Sequence, residues 1–293
     1  MSPPPRVSVI LPTHNRVAFI ERSTASVLAQ TASDLELIIV DDASTDSTAE
    51  VLRRLAAAEP RIRVIHNAQA RGGGGARNVG IEAARGQWVA FLDDDDEWLP
   101  HKLEHQLAKL AGDPGAVACG CHFEQHFPSG KTRVFRVPEN VTLQHLWRNN
   151  VLGGASVCIC SRETLSRIGG FDARLRAAQD YDLWIRLRQQ GRIAVCPEPL
   201  VKYQEHGGDR ISSRLDSQLR GARRLYFKYR REMGEIDRQR HLSFLCYVKS
   251  YQSQRRVRFR LRYLVLCLRN STWRAALSHG AHSAPRLIKD LLA

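Results

Sequence analysis

Asp93, Asp94, Asp95 and Asp96 stand directly after a short apolar run, Gln87 to Leu92. That run is short, apolar and ends abruptly in charge, which reads as a buried strand meeting solvent at its carboxyl end. Four carboxylates packed there repel one another by on the order of 1 kcal/mol per close pair near a surface. A divalent cation would relieve the repulsion, because Mg2+, Mn2+ and Ca2+ take carboxylate oxygens. The same residues would also serve as an acidic start to a helix near Leu99-Pro100, where carboxylates favour the positive end of the helix dipole. The segment alone leaves both readings open.

Carboxylates at a strand end need other elements to bring partners to them. The first ~110 residues alternate between strand and helix patterns. Val7–Leu11, Leu35–Val40, Ile62–Ile65 and Gln87–Leu92 read as strands. Val17–Gln30, a segment capped near Ser44–Thr48 and running to Ala58, Ala76–Ala84 and Leu99–Leu110 read as helices. The alternation predicts a Rossmann-like α/β fold: a mostly parallel sheet with helices on both faces. Beyond residue 116 the pattern is less regular. Strands are expected at Val117–Phe123 and Ser156–Cys160, and helices at Thr164–Ile168 and Gln179–Gln190.

A parallel sheet gathers four polar clusters at the carboxyl ends of its strands. They are Pro12-Thr-His-Asn-Arg16, Asp41-Asp-Ala-Ser-Thr-Asp46, the glycine run Gly72–Gly75 with Arg77 and Asn78, and the aspartate run. That edge is where such sheets hold nucleotide-sized ligands. Taken singly, Asp41 and Asp42 could cap the next helix, and the glycines could be a flexible loop. The glycine run lacks the Lys-Ser/Thr ending of a P-loop and the dinucleotide fingerprint.

In order and at plausible spacing, these segments resemble the motifs of the family 2 glycosyltransferases. Gly169-Gly-Phe-Asp172 and Gln179-Asp-Tyr-Asp-Leu-Trp-Ile-Arg186 resemble that family's acceptor-side motifs, so the likeness covers roughly residues 6–208. It implies a GT-A fold with a nucleotide-sugar-binding half, 1–115, and an acceptor half, 116–208. It also implies an inverting, metal-assisted transfer from a nucleotide-diphosphate sugar, typically UDP-linked, to a glycan or lipid-linked acceptor in cell-surface polysaccharide or glycolipid synthesis.

By motif position, Pro12, Thr13, Asn15 and Arg16 border the base and ribose, and Asp42 accepts from the base. Arg77 lies near the nucleotide. Asp93, with Asp94 beside it, faces the nucleotide sugar, and Asp95 is the expected ligand of Mn2+ or Mg2+. Asp180 is the expected general base, with Asp182 as the fallback. His206 is either a second metal or diphosphate contact or a surface histidine. Trp184 is either core or a sugar platform. The chain departs from the family's usual residues at His14, where an aromatic is common, at Ala43, where Gly is common, and at Gln179, where Glu is frequent.

Composition bounds the rest. Net charge is +14, but residues 1–209 carry 24 Lys and Arg against 25 Asp and Glu, whereas 210–293 carry 20 against 5. A basic, mainly helical region is therefore expected from 209 to 293. Its Arg-aromatic segments, 223–231 and 255–263, suit an anionic membrane surface, packing on the catalytic body or, least of the three, nucleic acid. No signal-like or membrane-spanning apolar run stands out, so a cytoplasmic location is expected, peripheral on the inner face of the membrane if the basic region binds it. Seven cysteines without metal spacing, including Cys119/Cys121 and Cys158/Cys160, read as buried reduced thiols.

Overall fold

The computed structural model describes residues 3–205 and 215–252. The chain divides into two compact units, Met1–Asp209 and Arg210–Ala293. In the first unit β1 (Val7–Thr13), β2 (Leu35–Asp41) and β3 (Ile62–His66) alternate with α1 (Val17–Leu28), α2 (Thr48–Ala58) and α3 (Gly72–Ala83), and β4 (Trp88–Phe91) follows. β2 is enclosed along its whole length, and its Leu-Ile-Ile-Val run suits a strand covered on both faces. The four strands lie parallel in the order β3-β2-β1-β4. The chain leaves β1 for β2 on one side and returns to β4 on the other. The crevice of this reversal opens at the carboxyl ends of β1 and β4.

The remaining elements are β5 (Asp96–Trp98), α4 (Lys102–Ala111), β6 (Ala116–His126), β7 (Thr132–Phe135), α5 (Leu143–Arg148), a 3-10 turn (Ala155–Val157), β8 (Ile159–Ser161), α6 (Arg162–Ile168), α7 (Gln179–Gln190) and β9 (Arg192–Gln204). The sheet continues β4-β8-β6-β9-β5, with β7 on β6. β8 runs antiparallel to β4 and β6, β9 parallel to β6, and β5 antiparallel to β9. The sheet is thus parallel in its first half and mixed beyond it.

Several expectations are corrected here. The glycine run is not a loop before a helix but the first turn of α3 itself. The residues before Leu99 form strand β5, and α4 starts only at Lys102. Ser156–Cys160 divides into the 3-10 turn and β8.

The interior of this unit holds Cys119, Cys121, Cys158, Cys160 and Cys196 as free, buried thiols. Burial pushes the Cys121 thiol up to about 12, as expected of inert packing groups. Lys102 is enclosed with them. Its ammonium donates to Gln106 Oε1 at 2.9 Å and sits 3.9 Å from the Trp98 ring centroid.

Ala43 sits at φ 63°, in the left-handed region that costs an L-residue roughly 1–2 kcal/mol. Ala43→Gly is expected to stabilise the protein by roughly 0.5–1 kcal/mol, read as a rise in the denaturant midpoint at unchanged slope.

In the second unit α8 (Leu215–Tyr229) and α9 (Glu235–Gln252) pack on each other. The Arg-aromatic segment 223–231 falls at the end of α8, which closes at Tyr229. The segment 255–263 lies outside the described residues. No helix among the described residues is long and apolar enough to cross a membrane.

Candidate active site

The aspartate run leaves β4 at the crevice, and its members meet different partners. Asp93 is paired with the Arg77 guanidinium from α3. Asp94 accepts from Thr13 Oγ1 at 2.8 Å, a bond that spans the crevice from β4 to β1, and Arg16 lies 4.0 Å from its other oxygen. Asp95 is 8% exposed, and its backbone carbonyl accepts from Arg22 at 3.2 Å. Asp96 accepts from Ser156 Oγ at 2.6 Å, and the same hydroxyl accepts Asp93 N–H at 3.0 Å. Ser156 therefore clasps the run at both ends, a role that its sequence context did not signal.

Crowding has an electrostatic consequence. Burial, then the neighbouring Asp95 carboxylate, pushes Asp94 up to about 7 despite the Thr13 hydrogen bond. A carboxyl held so close to neutrality beside three others is a site that a cation would restore to full charge. Among the described residues no three His, Cys, Asp or Glu side chains converge as a complete metal site. The donor set instead suits a hard cation held by one or two carboxylates and completed by substrate phosphates, the usual binding mode of Mg2+. His206 lies outside the described residues.

Asp180 enters from the first turn of α7. It is partly exposed, and its carboxyl rises to about 6. Burial drives the rise, the Arg77 charge opposes it and the Asp93 charge adds to it. Arg77 is thus the link between the acidic run and α7. Burial disfavours its charge, yet the carboxylates of Asp93 and Asp180 more than restore it. Its guanidinium also sits 5.4 Å from the Phe171 ring centroid, and Phe171 packs edge-on against Phe91 of β4 at 5.1 Å.

Phe171 is held in turn by Asn78, whose amide brackets its backbone: Oδ1 accepts Phe171 N–H and Nδ2 donates to Phe171 O, both at 2.8 Å. The Ala-Arg-Asn motif and the Gly-Gly-Phe-Asp motif therefore act as one unit. The glycine run has its reason here as well. A Cβ on Gly74 would lie 3.2 Å from the Gln179 side chain, so the small residue lets α3 approach the start of α7.

The nucleotide-side candidates divide. Asp42 is buried, and its oxygens accept from Asn67 Nδ2, Arg71 N and Gly72 N, each at 2.8 Å. It fixes the start of α3, not the start of the next helix α2, and it ties down the connection from β3 to α3. Asn67 had no motif to reveal it. Asp41 accepts Ser44 N–H at 3.0 Å and meets His66 Nδ1 at 3.0 Å.

Asn15 adopts φ 54°, and its Oδ1 takes Thr45 N–H at 2.7 Å and Asp46 N–H at 3.3 Å. Its side chain ties two loops together. Pro12, Thr13 and Arg16 stand at the crevice mouth, and exposed His14 bonds Asp42 O at 2.8 Å. Asp182 is fully buried and ion-paired with Arg186 at 2.7 Å, which leaves Asp180 as the carboxylate of α7 at the site. Trp184 is fully buried with Nε1 donating to Gly153 O at 3.1 Å, so it is core and not a sugar platform.

The sequence pattern described as glycosyl transferase family 2 matches residues 8–168, more than half of the chain. The chain belongs to glycosyl transferase family 2. It is accordingly a glycosyltransferase with a GT-A-like fold.

Relatives agree. TuaG of Bacillus subtilis (strain 168), whose name assigns it to teichuronic acid biosynthesis as a glycosyltransferase, is 32% identical over 86% of this chain and 98% of its own length. The Escherichia coli protein WfgD is 31% identical over 64% of this chain and 72% of its own. It is named UDP-Glc:alpha-D-GlcNAc-diphosphoundecaprenol beta-1,3-glucosyltransferase.

Two solved structures share the fold of this family 2 chain. S. aureus TarS 1-349 in complex with UDP-GlcNAc superposes with a TM-score of 0.64 at 19% identity, covering 87% of this chain and 75% of that one. The mannosyltransferase PcManGT of Pyrobaculum calidifontis, in complex with GDP-Man and Mn2+, gives 0.62 at 24%, covering 97% and 77%.

Proposed function

We propose that this family 2 glycosyltransferase moves a sugar, with inversion, from a UDP-linked donor to a hydroxyl of a glycan or lipid-linked acceptor in cell-surface polysaccharide synthesis. The observation that carries the reading is the Asp93–Arg77–Asp180 relay, which joins the acidic run at the donor crevice to a carboxylate on the acceptor side. The names of TuaG and WfgD favour polysaccharide assembly, and WfgD's name favours a lipid diphosphate acceptor.

In this proposal Pro12, Thr13 and Arg16 border the base and ribose, while Asp42 accepts from the base and sets the wall beside it. A bound Mn2+ or Mg2+, with Asp95 as its carboxylate ligand, would neutralise charge on the departing nucleoside diphosphate. Asp93 holds Arg77 where its charge faces both the diphosphate region and Asp180. Asp180 takes the proton of the acceptor hydroxyl as that oxygen attacks the anomeric carbon from the face opposite the leaving group. The basic region 210–293 would rest on an anionic membrane surface at the cytoplasmic side, where a lipid-linked acceptor is met.

The base works only as a carboxylate. With Asp180 raised to about 6, transfer is expected to fall tenfold per pH unit below ~6 and to level off above it. A rate profile for the chemical step from pH 4.5 to 8 reads this directly. An α-linked donor should yield a β-configured product by proton NMR. A retained configuration would overturn the inverting mechanism.

A further inference from the structure

Pro197 and Pro199 interrupt β9, and the register between β6 and β9 shifts at Cys121/His122 and again at His122/Phe123. Proline has no N–H to give a ladder, so irregularity is expected at that point. Beyond it the pairing is regular, with Phe123 opposite Val201 and Gln125 opposite Tyr203. On the flanking strands Asp96 pairs with Tyr203, and Gln125 pairs with Arg133. Cross-strand partners share a face. One row therefore crosses four strands: Asp96, Tyr203, Gln125, Arg133.

The row begins at the site already described. Tyr203 Oη accepts Gly154 N–H at 3.0 Å. A Cβ placed on Gly154 would lie 3.0 Å from that hydroxyl and 4.0 Å from Asp180 Oδ2, so the two oxygens border one small space that glycine leaves open. From there an aromatic shelf runs outward. Tyr203 lies 4.6 Å from Phe123, and Phe123 stacks on Phe135 at 5.0 Å and 6°. Arg133 lies over Phe135 at 4.6 Å. Exposed Lys131 and Arg136 flank it, and among the described residues none of these three cations is within ion-pair distance of a carboxylate. Beyond Asp96 at its inner end, the row is bordered by the Glu205 carboxylate, held by Gln125. Strands spaced ~4.8 Å apart put Arg133 about 10 Å from Tyr203 along the row, roughly two sugar residues.

We propose that this row is the acceptor track and that it selects an anionic acceptor: a saccharide whose attacked hydroxyl lies between Asp180 and Tyr203 and whose phosphate or carboxylate reaches Arg133. The assignment rests on the glycosyltransferase reading with Asp180 as base. Aromatic faces suit the apolar faces of sugar rings, and a guanidinium suits a two-oxygen anion. Tyr203 acts as a positioning residue, because its hydroxyl is anchored by Gly154 N–H and retains its own proton to donate.

The test compares three disaccharide acceptors that differ only in bearing a neutral alkyl glycoside, an alkyl diphosphate or a uronic acid. For each, kcat/KM is measured at saturating donor in wild type, Arg133→Ala and Arg133→Lys. In wild type at least one charged acceptor should exceed the neutral one by about tenfold. Arg133→Ala should bring that ratio to within about twofold of unity, Arg133→Lys should fall between wild type and Ala, and rising ionic strength should shrink it. A preference confined to one charged acceptor names the source of the anion. Equal use of charged and neutral acceptors by wild type, or a ratio unmoved by Arg133→Ala, overturns the track and leaves the glycosyltransferase reading standing. Transfer to none of the three from any donor overturns both.

Discussion

Asp180→Asn is expected to lower sugar transfer by about 10³-fold, within the 10²–10⁴ range of a lost general base, while the donor's apparent affinity changes little. Asn keeps the size of the side chain, and the neighbouring Arg77 remains paired with Asp93. What disappears is an oxygen able to accept a full proton. The acidic limb of the rate profile should vanish with it, because that limb belongs to the carboxyl raised to about 6. A merely structural role for Asp180 would predict the reverse: lost stability and a surviving pH profile in the residual activity. Single-turnover transfer by the variant, alongside its denaturant midpoint, separates the two. Activity above a tenth of wild type would remove Asp180 from the mechanism.

Asp95→Ala is expected to cost on the order of 10²–10³-fold in nucleoside diphosphate release and to weaken the response to added Mn2+ or Mg2+. Asp95 is buried, at 8% exposure, directly beside the raised Asp94 carboxyl. Removing it also takes away the charge that helps to raise Asp94, so Asp94 should titrate lower in the variant. Calorimetric titration of donor nucleotide with and without metal reads the first effect. Metal-enhanced nucleotide binding that survives intact in the variant would move the metal ligand elsewhere.

Much of this site was legible because strong local patterns coincide there. β1, β2 and β4 are mostly apolar, broken only at Ser8 and Glu36 before they end in polar residues, so their carboxyl ends could be read residue by residue. Asp180 and Asp182 separated as helical geometry requires, one at the site and one buried against Arg186. Other parts were hidden for physical reasons. The glycine run has poor helix propensity, and only its packing against Gln179 explains why α3 begins there. β5 is three residues long and β7 is mostly exposed, so neither shows a buried alternation. β9 carries two prolines, which argue against a strand until its irregular register with β6 is seen. Those three strands carry Asp96, Arg133 and Tyr203 and form the row together with β6, so the second half of the sheet was harder to read than the first. Ser156 and Asn67 belong to the same class: single polar residues whose importance lies in what the fold sets beside them.

Release of nucleoside diphosphate from UDP-, GDP- and dTDP-sugars, with Mn2+, with Mg2+ and with chelator, tests the central claim most directly when wild type is run beside Asp95→Ala. Release from a UDP-sugar that chelator abolishes and Asp95→Ala cuts by at least 10²-fold is the predicted result. Silence from every donor, together with nucleotide binding that ignores metal, would contradict a metal-assisted nucleotide-sugar site at the end of β4.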